Sequence, residues 1–385
     1  MSSETLNADE MTAQSLSRGA AGVALLHVER ALSGTEDWQN VHAHLRQATS
    51  GGVVATEHAG LYYGAPALAF VLHAASGDGK RRYRSTAVKL DEFVLRIARL
   101  RLAAATARMD RGEPATFQEY DLFSGLIGIA ALLLRRMPDS DVLARVLRHL
   151  VRLTHSRVEG GMEVPGWWVP HDPDPILPTL GGHANLGMAH GAAGLLAVLS
   201  LAARHGCAVS GQREAIGSLL SWFDRWRQTS ASGPWWPQWL TREDLRGGQP
   251  TQPGPGRPSW CYGAPGIARA LQLGAIALGD QARRRAAEED MAACLTVGQL
   301  RLLSDVGLCH GLAGVYQAAY RASQDALGGE IAERLPELAS LLTKQAVSSR
   351  GAGAGLLTGE AGVRLVMESA HTPPRSGWDS CLLIT

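Results

Sequence analysis

Seven times along the chain a glycine opens a short apolar run, and in all but one case a second glycine follows three residues later. RGAAGVALL begins at Arg18, YGAPALAFVL at Tyr63, SGLIGIAALL at Ser124 and HGAAGLLAVL at His190. YGAPGIARAL begins at Tyr262, HGLAGVYQAA at His310 and TGEAGVRLVM at Thr358. The exception, at Tyr63, reads Gly-x-x-Ala. Internal repetition on this scale marks an array of equivalent units. Even the shortest step, Gly19 to Gly64, holds two helices of about 11–12 residues and their loops.

The segments between the runs carry charge. LDEFVLRIARLRLAAATARM (90–109), DVLARVLRHLVRLTHSR (141–157) and IAERLPELASLLTKQAV (331–347) place apolar residues at helical spacing, with Arg and Lys on the other face. The pattern predicts an all-α chain of seven nearly uncharged inner helices and seven amphipathic outer ones. Seven pairs either close into an α/α toroid or form an open solenoid, and the reactive residues described below favour closure. One domain over residues 1–385 is expected.

Composition narrows the class. The chain has 385 residues, 45% hydrophobic, with a formal net charge of +1. That supports a large core and offers no basic surface for nucleic acid or membrane. The start, MSSETLNADE, lacks the basic and apolar regions of a signal peptide. The apolar stretch GLIGIAALLL (125–134) is too short to be a transmembrane segment. A cytoplasmic location is expected. Five cysteines, an odd number, argue against a disulfide framework and for metal or catalytic use.

Two Pro-, Gly- and Trp-rich insertions, at about 160–185 and 233–260, are expected as ordered loops on one rim, since each precedes an inner helix. Their tryptophans, Trp167, Trp168, Trp235, Trp236 and Trp239, either line a peptide groove or pack the loops.

The repeat register gathers the chemistry. Cys261 and Cys309 each stand two residues before a first glycine, His190 and His310 one before, and Asp121 four before. Ring closure brings these windows together. Cys261, Cys309 and His310 form a Cys₂His set that suits tetrahedral zinc with one open position. The simpler alternative is two small buried cysteines and a core histidine. His190 and Asp121 are acid/base candidates, or a helix-start hydrogen-bonding residue and an N-cap. Arg257, four before Cys261, is a site cation or a surface one. Cys207 and Cys294 lie outside the register. His183 is a reserve metal or polar contact. His42, His44, His149 and His155 are read as solvated and without a role.

GGHANLGMAHGAAG, RPSWCYGAPGIARAL, LCHGLAGV and the ending GWDSCLLIT closely resemble the lanthionine synthetase C family, the cyclases of class I lanthipeptide biosynthesis. The resemblance spans nearly the whole chain, and SWCYG together with CHG is highly specific. It implies an α/α toroid with one zinc at its mouth, held by Cys261, Cys309 and His310. It implies His190 as general acid/base, Asp121 as an active-site acid and Arg257 beside them. The implied activity is intramolecular Michael addition of peptide cysteine thiolates to dehydroalanine or dehydrobutyrine, forming (methyl)lanthionine rings. The implied partners are a dehydrated leader-core precursor peptide, a dehydratase and an exporter, with peripheral membrane association through that complex left open. The length fits a separate cyclase. Family members can carry a small extra domain, which has no clear place in this sequence. Two alternatives stand beside this reading. One is a zinc-containing thiol- or glutathione-binding scaffold without cyclase activity. The other is a zinc α/α-barrel prenyltransferase, which needs a basic diphosphate pocket that the rim motifs lack.

Overall fold

The entry turns of the inner helices explain the glycine pairs. The computed structural model describes residues 7–173, 178–348 and 353–385. The inner helices are Ala20–Ser33, Ala65–Ala74, Leu126–Arg136, Ala192–Arg204, Ala264–Leu278, Leu312–Gln324 and Glu360–Ser369. Each begins directly after the first glycine of its repeat. The chain then folds back so that a carbonyl six residues upstream rests on the second glycine. A Cβ there would lie 2.0 Å from the carbonyl oxygen of Leu16 at Gly22, of Leu122 at Gly128, of Trp260 at Gly266 and of Leu308 at Gly314. No side chain fits in that space. The second repeat enters differently, through Gly64 at φ 71°, a backbone region that favours glycine, and it alone has alanine at the second position.

The same residues join one repeat to the next. Leu61 covers the second glycine of the third repeat, Met188 that of the fifth, Trp260 that of the sixth and Leu308 that of the seventh. Leu356 of the seventh repeat covers Gly22 of the first, at 3.0 Å from its Cβ position. Every inner helix packs on its two sequence neighbours, and Glu360–Ser369 packs on Ala20–Ser33. The ring is closed, so the toroid is formed and the open solenoid is not.

The long outer helices Trp38–Ala48, Arg84–Asp110, Asp141–Leu153, Gln212–Trp226, Gln281–Cys294 and Glu330–Ser348 each pack on the inner helix before them. The remaining outer position is irregular. Only the short helix Ala8–Ala13 lies beside the first pair, and the chain after Ser369 turns inward instead of outward. There the 3-10 turn Trp378–Leu382 fills the interior of the ring. Asp379 is fully buried and accepts from Gln317 Nε2 at 2.6 Å and Arg321 Nη2 at 2.9 Å. Arg269, on the fifth inner helix, donates to the Ile384 carbonyl at 2.9 Å. Tyr62 donates to the Cys381 carbonyl and Trp260 to the Leu382 carbonyl, both at 2.9 Å. Arg269 and Arg321 on inner helices thus serve the segment they enclose, whereas Arg136 and Arg204 pair with Asp91 and Asp325 outside it.

The insertions are joined to one another. Ala184 and Asn185 pair antiparallel with Leu240 and Trp239. Two hairpins, Arg157–Glu159 with Met162–Val164 and Gln228–Ser230 with Gly233–Trp235, precede the two strands of that pair in the chain. The second insertion also holds a helix not expected from its composition, Arg242–Gly247. Thr241 and Asp244 form its capping box, a local signal strong enough to nucleate one turn. Part of the first insertion, residues 174–177, lies outside the described residues. Of the five tryptophans, Trp167, Trp168, Trp235 and Trp236 are buried and pack the loops, while Trp239 is half-buried. Among the described residues, no helix is long and apolar enough to cross a membrane.

Candidate active site

Ring closure brings the fourth, fifth and sixth entry loops side by side. The Ala189 amide donates to the Cys261 carbonyl at 3.2 Å, which sets His190 beside the Cys261 loop. Cys261 Sγ lies 3.1 Å from His310 Nδ1 across the junction of the fifth and sixth repeats. The ligand atoms of Cys261, Cys309 and His310 all lie within 4.8 Å of one another. A tetrahedral ion with bonds of about 2.0–2.3 Å holds its ligands roughly 3.3–3.8 Å apart, so small side-chain adjustments suffice. Cys261 and Cys309 are buried and His310 is half-buried.

The electrostatics of the trio call for a cation. Burial works to raise the Cys261 thiol, but hydrogen bonds with Cys309 and His310 and the His310 charge outweigh it, holding Cys261 well below a thiol's usual range. The Cys309 thiol is pushed far up, first by its hydrogen bond to Cys261 and then by burial. His310 is raised, chiefly by its bond to Cys261. The two buried thiols thus oppose each other's ionisation, one drawn down and the other pushed up. A borderline-soft divalent ion such as zinc would remove that conflict, because both sulfurs and the imidazole can share it. The donor set fits zinc.

Asp121 and His190 form the second element. His190 Nδ1 lies 2.7 Å from Asp121 Oδ2. Asp121 Oδ1 accepts the amides of Ser124 and Gly125 at 2.7 and 2.9 Å. Asp121 thus caps the loop through one oxygen and meets His190 through the other. A carboxylate at this distance favours the tautomer with the proton on Nδ1, in which Nε2 is the acceptor. Two phenyl rings flank the imidazole: Phe117 at 5.0 Å and Phe123 at 5.1 Å between centroids, within 24° of parallel. Tyr262 stands 5.9 Å away on the ligand side. Behind Asp121, buried Arg101 donates to the carbonyls of Ser124 and Ala59 and fixes the loop. Burial draws its guanidinium down to about 10, against the opposing charges of Asp121 and Glu57.

Arg257 is exposed, and among the described residues no hydrogen bond or ion pair engages its guanidinium. Its charge acts on the trio, lowering the pKa of both Cys309 and His310. His183 is not part of the metal cluster. It is fully buried, bonds the His171 carbonyl through Nδ1 at 3.0 Å, and is pushed down to about 4 by burial. His149, expected on a solvated face, is also buried and lies 3.3 Å from Glu119 Oε1. Its helix presents that face to the second outer helix, where Arg108 shares the same carboxylate. Cys294 is buried with its thiol pushed up by burial, and Cys207 is half-buried with its thiol also raised.

Phe117, Phe123, Tyr262 and Arg101 were not among the sequence candidates. Phe123 and Tyr262 had a signal, since they occupy the same register positions as Cys261 and His310. Ser259 occupies the position of Asp121, caps Tyr262 N at 3.4 Å and lies 3.5 Å from Cys261 Sγ.

A closed α/α ring with a Cys₂His cluster and a His–Asp pair at one mouth defines a narrow class. The chain belongs to the lanthionine synthetase C-like family, whose model matches residues 10–383. It is similar to the nisin biosynthesis protein NisC of Lactococcus lactis subsp. lactis, 23% identical over 271 residues. That match spans 67% of this chain and 60% of the relative. The fold is that of the solved nisin cyclase, with a TM-score of 0.82 and 20% identity, covering 97% of this chain and 93% of that one.

Proposed function

We propose that this chain is a zinc-dependent lanthipeptide cyclase that forms (methyl)lanthionine rings in a dehydrated precursor peptide, working with a dehydratase and an exporter. The family membership and the likeness to nisin cyclase support the reaction class. The observation that carries the reading is the placement of the His190–Asp121 pair beside the Cys261–Cys309–His310 trio at one mouth. Zinc held by the trio supplies, when bound, an open position that acidifies a substrate thiol otherwise near pKa 8.5.

The chain's own residues manage the proton. Nε2 of His190 accepts the proton of the peptide cysteine as sulfur adds to the alkene β-carbon. The imidazolium so formed is stabilised by Asp121 at Nδ1 and by the faces of Phe117 and Phe123. The electron pair of the alkene moves onto the neighbouring carbonyl as an enolate, and Arg257 offsets that charge. His190 then returns its proton to the α-carbon. One C–S bond and one C–H bond form, one S–H bond and one π bond are lost, and the peptide mass is unchanged.

The test is elemental analysis of zinc per chain, paired with counting free thiols in a dehydrated peptide by alkylation and mass spectrometry. About one zinc per chain, lost in Cys261→Ala and Cys309→Ala together with thiol consumption, supports the reading. Thiol consumption that persists without the ion rules it out.

A further inference from the structure

The entry loops of the repeats are stitched to one another by backbone hydrogen bonds, each accepted by the carbonyl two residues before a first glycine and donated from an amide two or three residues before the neighbouring one. Leu16 N donates to Tyr62 O at 2.9 Å, Tyr62 N to Phe123 O at 3.3 Å and Leu122 N to Ala189 O at 3.1 Å. Ala189 N donates to Cys261 O at 3.2 Å, Cys309 N to Leu357 O at 2.9 Å and Leu357 N to Ser17 O at 3.0 Å. These bonds cover every junction of the ring but one. Between the fifth and sixth repeats the matching bond would run from Trp260 N or Cys261 N to Cys309 O, and neither is present among the described residues. No acceptor meets the Cys261 amide from any side chain among those residues either. A buried amide without a partner is rare.

That same junction is the one the metal ligands straddle. Cys261 comes from the fifth repeat, and Cys309 and His310 from the sixth. At the mouth Cys261 Sγ meets His310 Nδ1 across it at 3.1 Å, while farther along the inner helices Gln272 Nε2 donates to the Ala322 carbonyl at 3.0 Å and Arg269 Nη2 to Asp325 at 2.7 Å. We infer that the cluster has a second, structural function: through its ion it fastens the single ring junction that the backbone leaves unbonded. This rests on the metal-binding part of the proposed function and not on the cyclisation chemistry. Ligand bonds contribute folding free energy directly when the ligands come from separate elements. Here they replace one peptide hydrogen bond with three coordinate bonds. Packing of Trp260 over Gly314 remains at the junction without the ion. Metal loss therefore opens the mouth locally and leaves the ring folded.

Hydrogen exchange read by mass spectrometry tests this on the full chain in three states: with zinc, after chelation, and after zinc is returned. Zinc content is measured in each sample. Peptides covering 257–263 and 305–311 are expected to exchange roughly tenfold faster or more after chelation, and to regain protection when zinc is returned. Peptides covering 16–18, 61–63 and 122–125, at bonded junctions, are expected to be unchanged. Cys261→Ala should exchange like the chelated wild type, and if that variant does not fold, the chelation series carries the test. Equal exchange with and without a measured ion overturns the fastening role and leaves the cyclase reading standing. A spread of faster exchange over all junctions also overturns it. A protein that binds no zinc removes both.

Discussion

At the scale of single residues, the site turns on which nitrogen of His190 is free. His190→Asn removes the proposed proton acceptor and leaves the three candidate ligands in place. Thiol consumption is expected to fall by roughly 10²–10⁴-fold while zinc content stays at the wild-type level. An enzyme that cyclises normally with Asn at position 190 would exclude the histidine from the proton transfer. Asp121→Asn makes a subtler point. An amide can still cap Ser124 and Gly125 through its oxygen, so the loop should stay folded. It then turns NH₂ toward His190 Nδ1, which favours the proton on Nε2 and removes the acceptor where it is needed. A fall of roughly 10²-fold or more is expected, following the logic of His–Asp pairs in hydrolases. The readout is the thiol-consumption rate with an unchanged melting temperature. Equal losses in rate and stability would reduce Asp121 to a capping residue.

Helix entries are the next scale, and there glycine is required by approach rather than by conformational freedom. Gly266→Ala would place a Cβ 2.0 Å from the Trp260 carbonyl oxygen, on the loop that carries Cys261. The expected cost is about 2–3 kcal/mol, seen as a lower midpoint in denaturant, with weaker zinc binding because the ligand loop must shift. Gly217→Ala, in the outer helix Gln212–Trp226, is the control. Its Cβ meets only Leu278 at 4.0 Å, so it should gain up to about 1 kcal/mol of helix propensity. If both changes have the same sign, close approach is not what selects glycine. This is also where sequence and structure agree best. Repeated glycine pairs and uncharged runs locate the inner helices, and register alone brings Cys261, Cys309, His310, His190 and Asp121 to one mouth. Phe117 escaped that logic because it sits on the short helix Phe117–Tyr120, ahead of the register. His149 was misread because an outer helix of a ring has buried sides toward its neighbours as well as toward the core. The inward turn of Trp378–Leu382 has no periodic signal, and its partners Arg269, Gln317 and Arg321 become meaningful only once the interior must be filled.

For the whole molecule, the question is what holds the ring under acid. Two half- to fully buried histidines are kept neutral by the fold: His73 near the end of the second inner helix and His183 on the rim. Burial pushes each down to about 4, with Arg135 and Arg136 adding to the effect at His73. Among the described residues, Nδ1 of His73 and Nε2 of His183 have no hydrogen-bond partner. Since the folded pKa lies below the unfolded value of about 6.5, the unfolded chain binds more protons between those limits. Stability is then full above pH of about 6.5 and declines progressively down to about 4, below which these two groups add no further slope. A complete shift of that size corresponds to about 3 kcal/mol per histidine as an upper value. The measurement is the denaturant midpoint of unfolding from pH 7 to 4 for the wild type and for His73→Gln with His183→Gln. The chelated protein is used throughout so that release of the ion does not enter the comparison. The double variant should start lower at pH 7, having lost packing, and show a flatter decline toward pH 4. Parallel curves would mean that the buried imidazoles do not set the acid limit of the ring.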